Sequence, residues 1–260
     1  MNCSISVLSD NLAGASCGAE HGFSLLIEAD KTILFDAGAS DLFLKNAGIL
    51  KKDISKVELA VLSHGHWDHG NGLLHLPSMP LYCHPGVFMK RYRKNNDVHI
   101  GLKFGLEQAR ERFDLHFTDN FLQLSEQVFY LGQIPRLVPF ESKTTKYVDE
   151  KGYPDFVMDE IALAIKTENG LVVVSGCAHA GICNITHHAC NVTGVEEVAA
   201  VIGGFHLKAD NEISRQTAMW LKEKKVKKVY PMHCTSFPAS YCLYSVFRCS
   251  RPHTGANLVF

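Results

Sequence analysis

The sequence predicts a mixed α/β fold, and three observations carry that reading. Short apolar runs recur along the chain, separated by Gly, Pro and Asp/Asn turn signals, as strands are. Two pairs of runs flank the tight turns Ala29-Asp30-Lys31 and Glu168-Asn169-Gly170 and read as hairpins. Asp41 to Ala47 instead has helical spacing, with Leu42, Phe43 and Ala47 on one face. Parallel strands separated by helices are the expected outcome. At 260 residues the chain can bury a sizeable core, and it reads as a single domain over 1–260 with a cap or insertion at about 87–120.

The elements follow in order. Ile5 to Leu8 is a short strand, and Asn11 to Gly22 a loop rich in Gly, Ala and Ser that ends in Glu20-His21-Gly22. Phe23 to Glu28 and Thr32 to Phe35 form the first hairpin, which runs out into Asp36-Ala37-Gly38. Gly48 ends the helix that begins at Asp41. Lys51 to Lys56 leads into the strand Val57 to Leu62. Asn71 to Leu76 starts a helix stopped near Pro77, and Leu81 to His84 is another strand. Val87 to Asn120 mixes Phe88, Tyr92 and Phe104 with Lys90, Arg91, Arg93 and Lys94. It reads as an amphipathic cap, or as an exposed helix whose cationic stems lie over aromatics. Val128 to Leu131 is a strand and Lys143 to Pro154 a polar surface loop. Glu160 to Lys166 and Leu171 to Ser175 make a second hairpin that echoes residues 23–36, a weak sign of two similar halves. Residues 236–260 carry no readable motif.

Charge and cysteine usage exclude several classes. The net charge of −1, without a long like-charge block, leaves no footprint for nucleic acid or an anionic membrane. The basic run Lys222 to Lys228 contains Glu223 and reads as a solvated helix end. Met1 to Val7 shows no basic region followed by an apolar stretch, and no window approaches about 18 uninterrupted apolar residues. Nine cysteines, with no C-x-x-C pair, argue against a disulfide framework and for a reducing, cytoplasmic setting.

Chemistry concentrates in Ser63-His64-Gly65-His66-Trp67-Asp68-His69-Gly70. Three imidazoles and a carboxylate within six residues are costly to bury together unless a cation binds them. The spacing suits two ions: His64 and His66 project together, while Asp68 and His69 reach a second position. Three further strand-like runs also lead into histidine: Val172 to Val174 before His179, Val198 to Ile202 before His206, and Val226 to Tyr230 before His233. Loops leaving neighbouring strands at one sheet edge converge on one cleft.

His64, His66, Asp68 and His69 reproduce the defining loop of the metallo-β-lactamase superfamily, which this chain resembles. With Glu20-His21-Gly22, Gly176-Cys177-Ala178-His179-Ala180-Gly181, Gly203-Gly204-Phe205-His206 and Pro231-Met232-His233-Cys234-Thr235, it is similar to the 7,8-dihydropterin-6-methyl-4-(β-D-ribofuranosyl)aminobenzene-5′-phosphate synthase-like branch. The resemblance implies an αββα sandwich of two mixed sheets. It also implies that Asp36 supports the metal loop, against the bland reading of a turn former. The chain departs from the superfamily where a bridging Asp is usual. Cys177 stands there, either as a thiolate ligand or as a buried core thiol, with His179 the favoured ligand.

The sequence therefore leads us to expect a metal-dependent hydrolase using an activated water on an ester, lactone or phosphoester. The expected ligands of a divalent metal, Zn2+ first and Fe or Mn also compatible, are His64, His66, Asp68, His69, His179 and His233. Asp68 and His206 are the catalytic candidates, and His21 and His206 are placed to bind a small, phosphorylated substrate. A pterin-linked synthase using the metal as Lewis acid is one alternative. A metal-binding or ligand-sensing protein without turnover is another.

Overall fold

The computed structural model describes residues 3–14, 16–248 and 250–260. Met1, Asn2, Ala15 and Cys249 lie outside the described residues, and with them the ninth cysteine and the start of the segment read for a leader. The eight described cysteines are free thiols. Among the described residues no helix is long and apolar enough to cross a membrane.

Two sheets stack face to face. The first has the strand order Asn257–Val259, Ser4–Ser9, Ser24–Glu28, Thr32–Phe35, Leu59–Leu62, Pro80–Cys83, Asp114–Phe117. The second has the order Lys228–Met232, Val198–Gly204, Gly170–Ser175, Ala162–Thr167, Val128–Tyr130, Leu122–Gln123. Side-chain alternation fills three apolar layers. Ile33 and Phe35 enter the inter-sheet core with Ile5, Leu163, Val172 and Ile202. Leu34 points the other way, to Leu26 and Ala60 and to Phe43 and Ala47 of the helix Leu42–Ile49. Beneath the second sheet, Ala164 and Val173 meet Ile185 of Ile182–Thr193, Leu221 of Glu212–Glu223 and Leu243 of Phe237–Phe247. With both faces covered, the strands read as continuous apolar runs, and the fold is the αββα sandwich.

The two hairpins occupy equivalent places. In each sheet an antiparallel pair is continued by parallel strands: Thr32–Phe35 beside Leu59–Leu62, and Gly170–Ser175 beside Val198–Gly204. All these parallel strands release their loops at the same edge of the sandwich, where the histidines gather.

Three expectations are corrected, and the tail gains a structure that no motif announced. The first helix runs through Gly48 to Ile49, because Gly48 does not take the left-handed conformation that would cap it and the cap falls at Leu50. Residues 71–76 form a single 3-10 stretch, Asn71–His75, rather than the start of an α-helix. Residues 143–154 are not simply a surface loop: Tyr147–Asp149 pairs with Arg91–Arg93 and Pro154–Asp155 in a small third sheet. The tail supplies the helix Phe237–Phe247 and the edge strand Asn257–Val259, which pairs with Ser4–Ser9.

The metal-loop candidate is pinned from outside by close backbone approach. A Cβ added at Gly65 would stand 1.9 Å from the Val87 carbonyl oxygen. Gly65→Ala is therefore expected to cost about 3 kcal/mol or more. A thermal midpoint equal to that of the wild type would contradict this.

Candidate metal centre

Two groups of donor atoms face each other at the strand-end edge. His64, His66 and His179 form one; Asp68, His69 and His233 form the other, with all donor atoms of each group within 4.8 Å of one another. His64 Nε2 lies 2.9 Å from His66 Nδ1, and His69 Nε2 lies 3.2 Å from His233 Nε2. Asp68 Oδ2 is 3.4 Å from His233 Nε2 and 4.0 Å from His69 Nε2. Cys177 lies between the groups, its Sγ 3.2 Å from His69 Nε2.

Buried partners set which nitrogen faces inward. Asp36 takes the Nδ1–H of His69 at 2.6 Å, the Ser63 hydroxyl at 2.7 Å and the Ser63 amide at 2.7 Å. The Ser63 oxygen is 2.9 Å from His64 Nδ1. Both His64 and His69 therefore present Nε2 to the site. His233 donates Nδ1–H to Asn11 Oδ1 at 3.0 Å, and its amide donates to Asp10 Oδ1 at 2.7 Å. Glu160 accepts the amides of His179 and Ala180, each at 2.7 Å, and so holds the loop after Ser175. Asp159, paired to the buried Arg91 at 2.8 Å, accepts the Gly65 amide at 2.8 Å.

The backbone is bent to aim these groups. Asp36, Ala178, His206 and His233 all have φ between 48° and 57°, the left-handed region that costs an ordinary residue roughly 1–2 kcal/mol. Each follows closely on a strand end.

Electrostatics prepare the groups as ligands. Burial pushes His64, His66 and His179 well below the ordinary histidine value, so each offers a neutral lone pair. Burial alone would raise the Asp68 carboxyl, but His69, His233 and His66 reverse this and hold it below the usual carboxylate range. His233 is raised: Asp68 and its other anionic neighbours outweigh burial. Burial drives Cys177 up, while Cys234, hydrogen-bonded to Cys177 and His206, lies well below the ordinary thiol value despite its own burial.

The donors fit a divalent ion. His66 Nε2 and His179 Nε2 are buried without a hydrogen-bond partner, each an uncompensated cost of about 1–3 kcal/mol. The 3.2 Å gap between His69 and His233 nitrogens matches two ligands of one tetrahedral ion, which bonds of about 2.0–2.1 Å place roughly 3.3 Å apart.

The same shifts give a pH dependence for the metal-free chain. Below about pH 6.5 the unfolded histidines take up protons that the folded His64, His66 and His179 resist, so stability falls with pH. The raised His233 acts oppositely, contributing stability at low pH that is lost as pH rises through its folded value. Glu160, pushed up to about 8 by burial, sides with His233, whereas His21, His84 and His188, also lowered by burial, side with the first three. Six depressed histidines therefore oppose these two raised groups in this window. The thermal midpoint is expected to drop between about pH 7 and pH 5; a flat or rising midpoint would contradict it.

Comparison with known proteins agrees with this architecture. The β-lactamase superfamily domain model matches residues 31–116, the span that contains Asp36 and the histidine loop. Over 100% of this chain and 97% of the relative, the sequence is 33% identical to the 7,8-dihydropterin-6-methyl-4-(β-D-ribofuranosyl)-aminobenzene-5′-phosphate synthase of Methanocaldococcus jannaschii. The chain belongs to the metallo-β-lactamase superfamily. Among solved members, Tm1679, described as a metal-dependent hydrolase of the superfamily, superposes with a TM-score of 0.88 at 28% identity over 98% of both chains. YhfI of Bacillus subtilis shares the fold at a TM-score of 0.59 and 16% identity, over 98% of this chain and 99% of that one.

Within that superfamily fold, the structure brings together all six residues expected as ligands. His21 lies at the rim, 3.2 Å from Asp68 Oδ2, with its ring 5.4 Å from that of His233. His206 packs its ring 4.4 Å from that of His179 and lines the same cavity as Asp68. Glu20 is not at the site; it accepts bonds from Ser9, Ala39 and Ser40 and ties its loop to the sheet. Sequence reasoning missed Asp10, Asn11, Glu160 and Tyr147. Tyr147 reaches the site from the third sheet, its ring 5.1 Å from His66.

A cavity of about 150 Å3 opens over the two groups, with Arg93, Tyr147 and Lys208 on its wall. It shares Tyr147, His179, His206 and Lys208 with a second cavity of about 360 Å3 whose apolar wall includes Phe140, Phe156 and Phe205.

Proposed function

We propose that this chain is a metal-dependent hydrolase that holds two divalent ions, one on His64, His66 and His179 and one on Asp68, His69 and His233. The observation that carries the reading is the pair of facing donor groups on the floor of a cleft with a cationic wall. Divalent ions bound there would supply Lewis acidity, acidifying water and polarising a carbonyl or phosphoryl oxygen.

The chain's own residues do the rest. Asp68, ionised at neutral pH, would give one carboxylate oxygen to the ion and keep the other as a proton acceptor at the rim where His21 lies. Arg93 and Lys208 favour an anionic group, a phosphate first, and the aromatic second cavity takes an apolar body. Tm1679, described as a metal-dependent hydrolase, supports the reaction class.

A second reading rests on the full-length synthase relative: the same site would then promote a condensation yielding a product of the kind in that relative's name. Chelator-stripped protein reloaded with Zn2+, Mn2+ or Fe2+ and assayed on phosphodiesters, phosphomonoesters, lactones and esters separates the two. Metal-dependent hydrolysis of an anionic ester is expected. No hydrolysis by metal-loaded protein would sink the hydrolase reading, and condensation would then favour the synthase.

A further inference from the structure

We propose that Cys177, Cys234 and His206 form a further binding position, for a soft cation such as Zn2+, Cd2+ or Cu+, beside the histidine and aspartate groups. One donor atom of each lies within 4.8 Å of the others. Tetrahedral bonds of about 2.0–2.3 Å would bring such atoms to roughly 3.5–3.8 Å, a contraction within reach of small side-chain rotations. His206 Nδ1 is buried and has no hydrogen-bond partner.

The fold builds this juxtaposition. The three residues follow the ends of the neighbouring parallel strands Gly170–Ser175, Val198–Gly204 and Lys228–Met232. The His206 amide lies 3.3 Å from Cys234 Sγ, and that sulfur is 3.4 Å from the Cys177 carbonyl oxygen. Gly204 keeps the gap: a Cβ there would stand 2.6 Å from Cys234 Sγ and 3.1 Å from Cys177 Cα.

Buried thiols often serve as small apolar fillers, as Cys3 and Cys183 do inside two of the cores. Cys177 and Cys234 differ because both line the wall of the 150 Å3 cavity with His206, which gives an ion a path in. Thiolates select soft ions over Mn2+ or Mg2+. As each sulfur–metal bond forms, any proton still on that sulfur is released to solvent. Cys177 is also grouped with His64 and His69, so an ion held on the thiol side draws that sulfur away from the centre between the two histidine groups.

The test uses the reduced, chelator-stripped 260-residue chain titrated with Cd2+ alone. A thiolate-to-cadmium absorption saturating near one equivalent per chain is expected, with about half the band lost in Cys177→Ser and in Cys234→Ser. Cd2+ should also slow alkylation of Cys177 and Cys234, mapped by mass spectrometry, by about tenfold or more while Cys17 and Cys190 react as before. That measurement needs only the wild type, so it decides even where a variant does not fold. Absence of the band, its full retention in Cys234→Ser, or unchanged alkylation of the pair would overturn the proposal. The readout is sulfur coordination and not turnover, so it stands or falls apart from the hydrolase reading.

Discussion

Asp68→Asn is expected to lower metal-dependent turnover by about 10²- to 10⁴-fold, the range for losing a positioned proton acceptor. The substitution preserves size and removes charge. Asp68 Oδ2 lies 3.2 Å from His21, 3.4 Å from His233 and 4.0 Å from His69, so the change strips the only carboxylate from that donor group. It also removes a main support of the raised His233, whose proton in the metal-free chain should then leave at lower pH, visible by NMR titration. Turnover within a fewfold of the wild type would show that Asp68 neither handles a proton nor sustains a needed ion.

Asp36→Ala should be the most damaging change to the scaffold. Three buried donors, the Ser63 amide, the Ser63 hydroxyl and His69 Nδ1–H, would lose their acceptor together. Leaving such groups unpaired in the interior costs about 3–5 kcal/mol, and the thermal midpoint should fall by roughly 6–20 °C. Metal affinity should drop about 10- to 100-fold, because His69 would no longer be held with Nε2 inward. A folded variant with wild-type midpoint and affinity would show that Asp36 is only a turn former.

What was legible in the sequence is what is local. His64, His66, Asp68 and His69 announce themselves because their spacing after an apolar strand leaves few other uses for them. His179 and His233 stand out for the same reason, each just beyond a strand, and the fold brings both beside that loop. The αββα architecture came through resemblance, since periodicity alone indicates mixed α/β.

Contacts between distant residues left no such trace. Asp10 and Asn11 follow the first strand as an ordinary polar turn, yet they grip His233, 223 and 222 residues away. Glu160 read as the start of a hairpin strand, although its carboxylate collects the amides of His179 and Ala180. Tyr147 enters the cleft because Tyr147–Asp149 pairs with Arg91–Arg93. A pairing of that length is too short to show a period.

The central claim, two separate donor groups each holding one ion, is tested most directly by counting Mn2+ bound to chelator-stripped protein. Mn2+ accepts imidazole and carboxylate but disfavours thiolate, so the cysteine position does not enter the count. The account predicts about two Mn2+ per chain in the wild type, and about one in His66→Ala and in His233→Ala, each of which spares the other group. One ion or none in the wild type, or two retained in both variants, would contradict it.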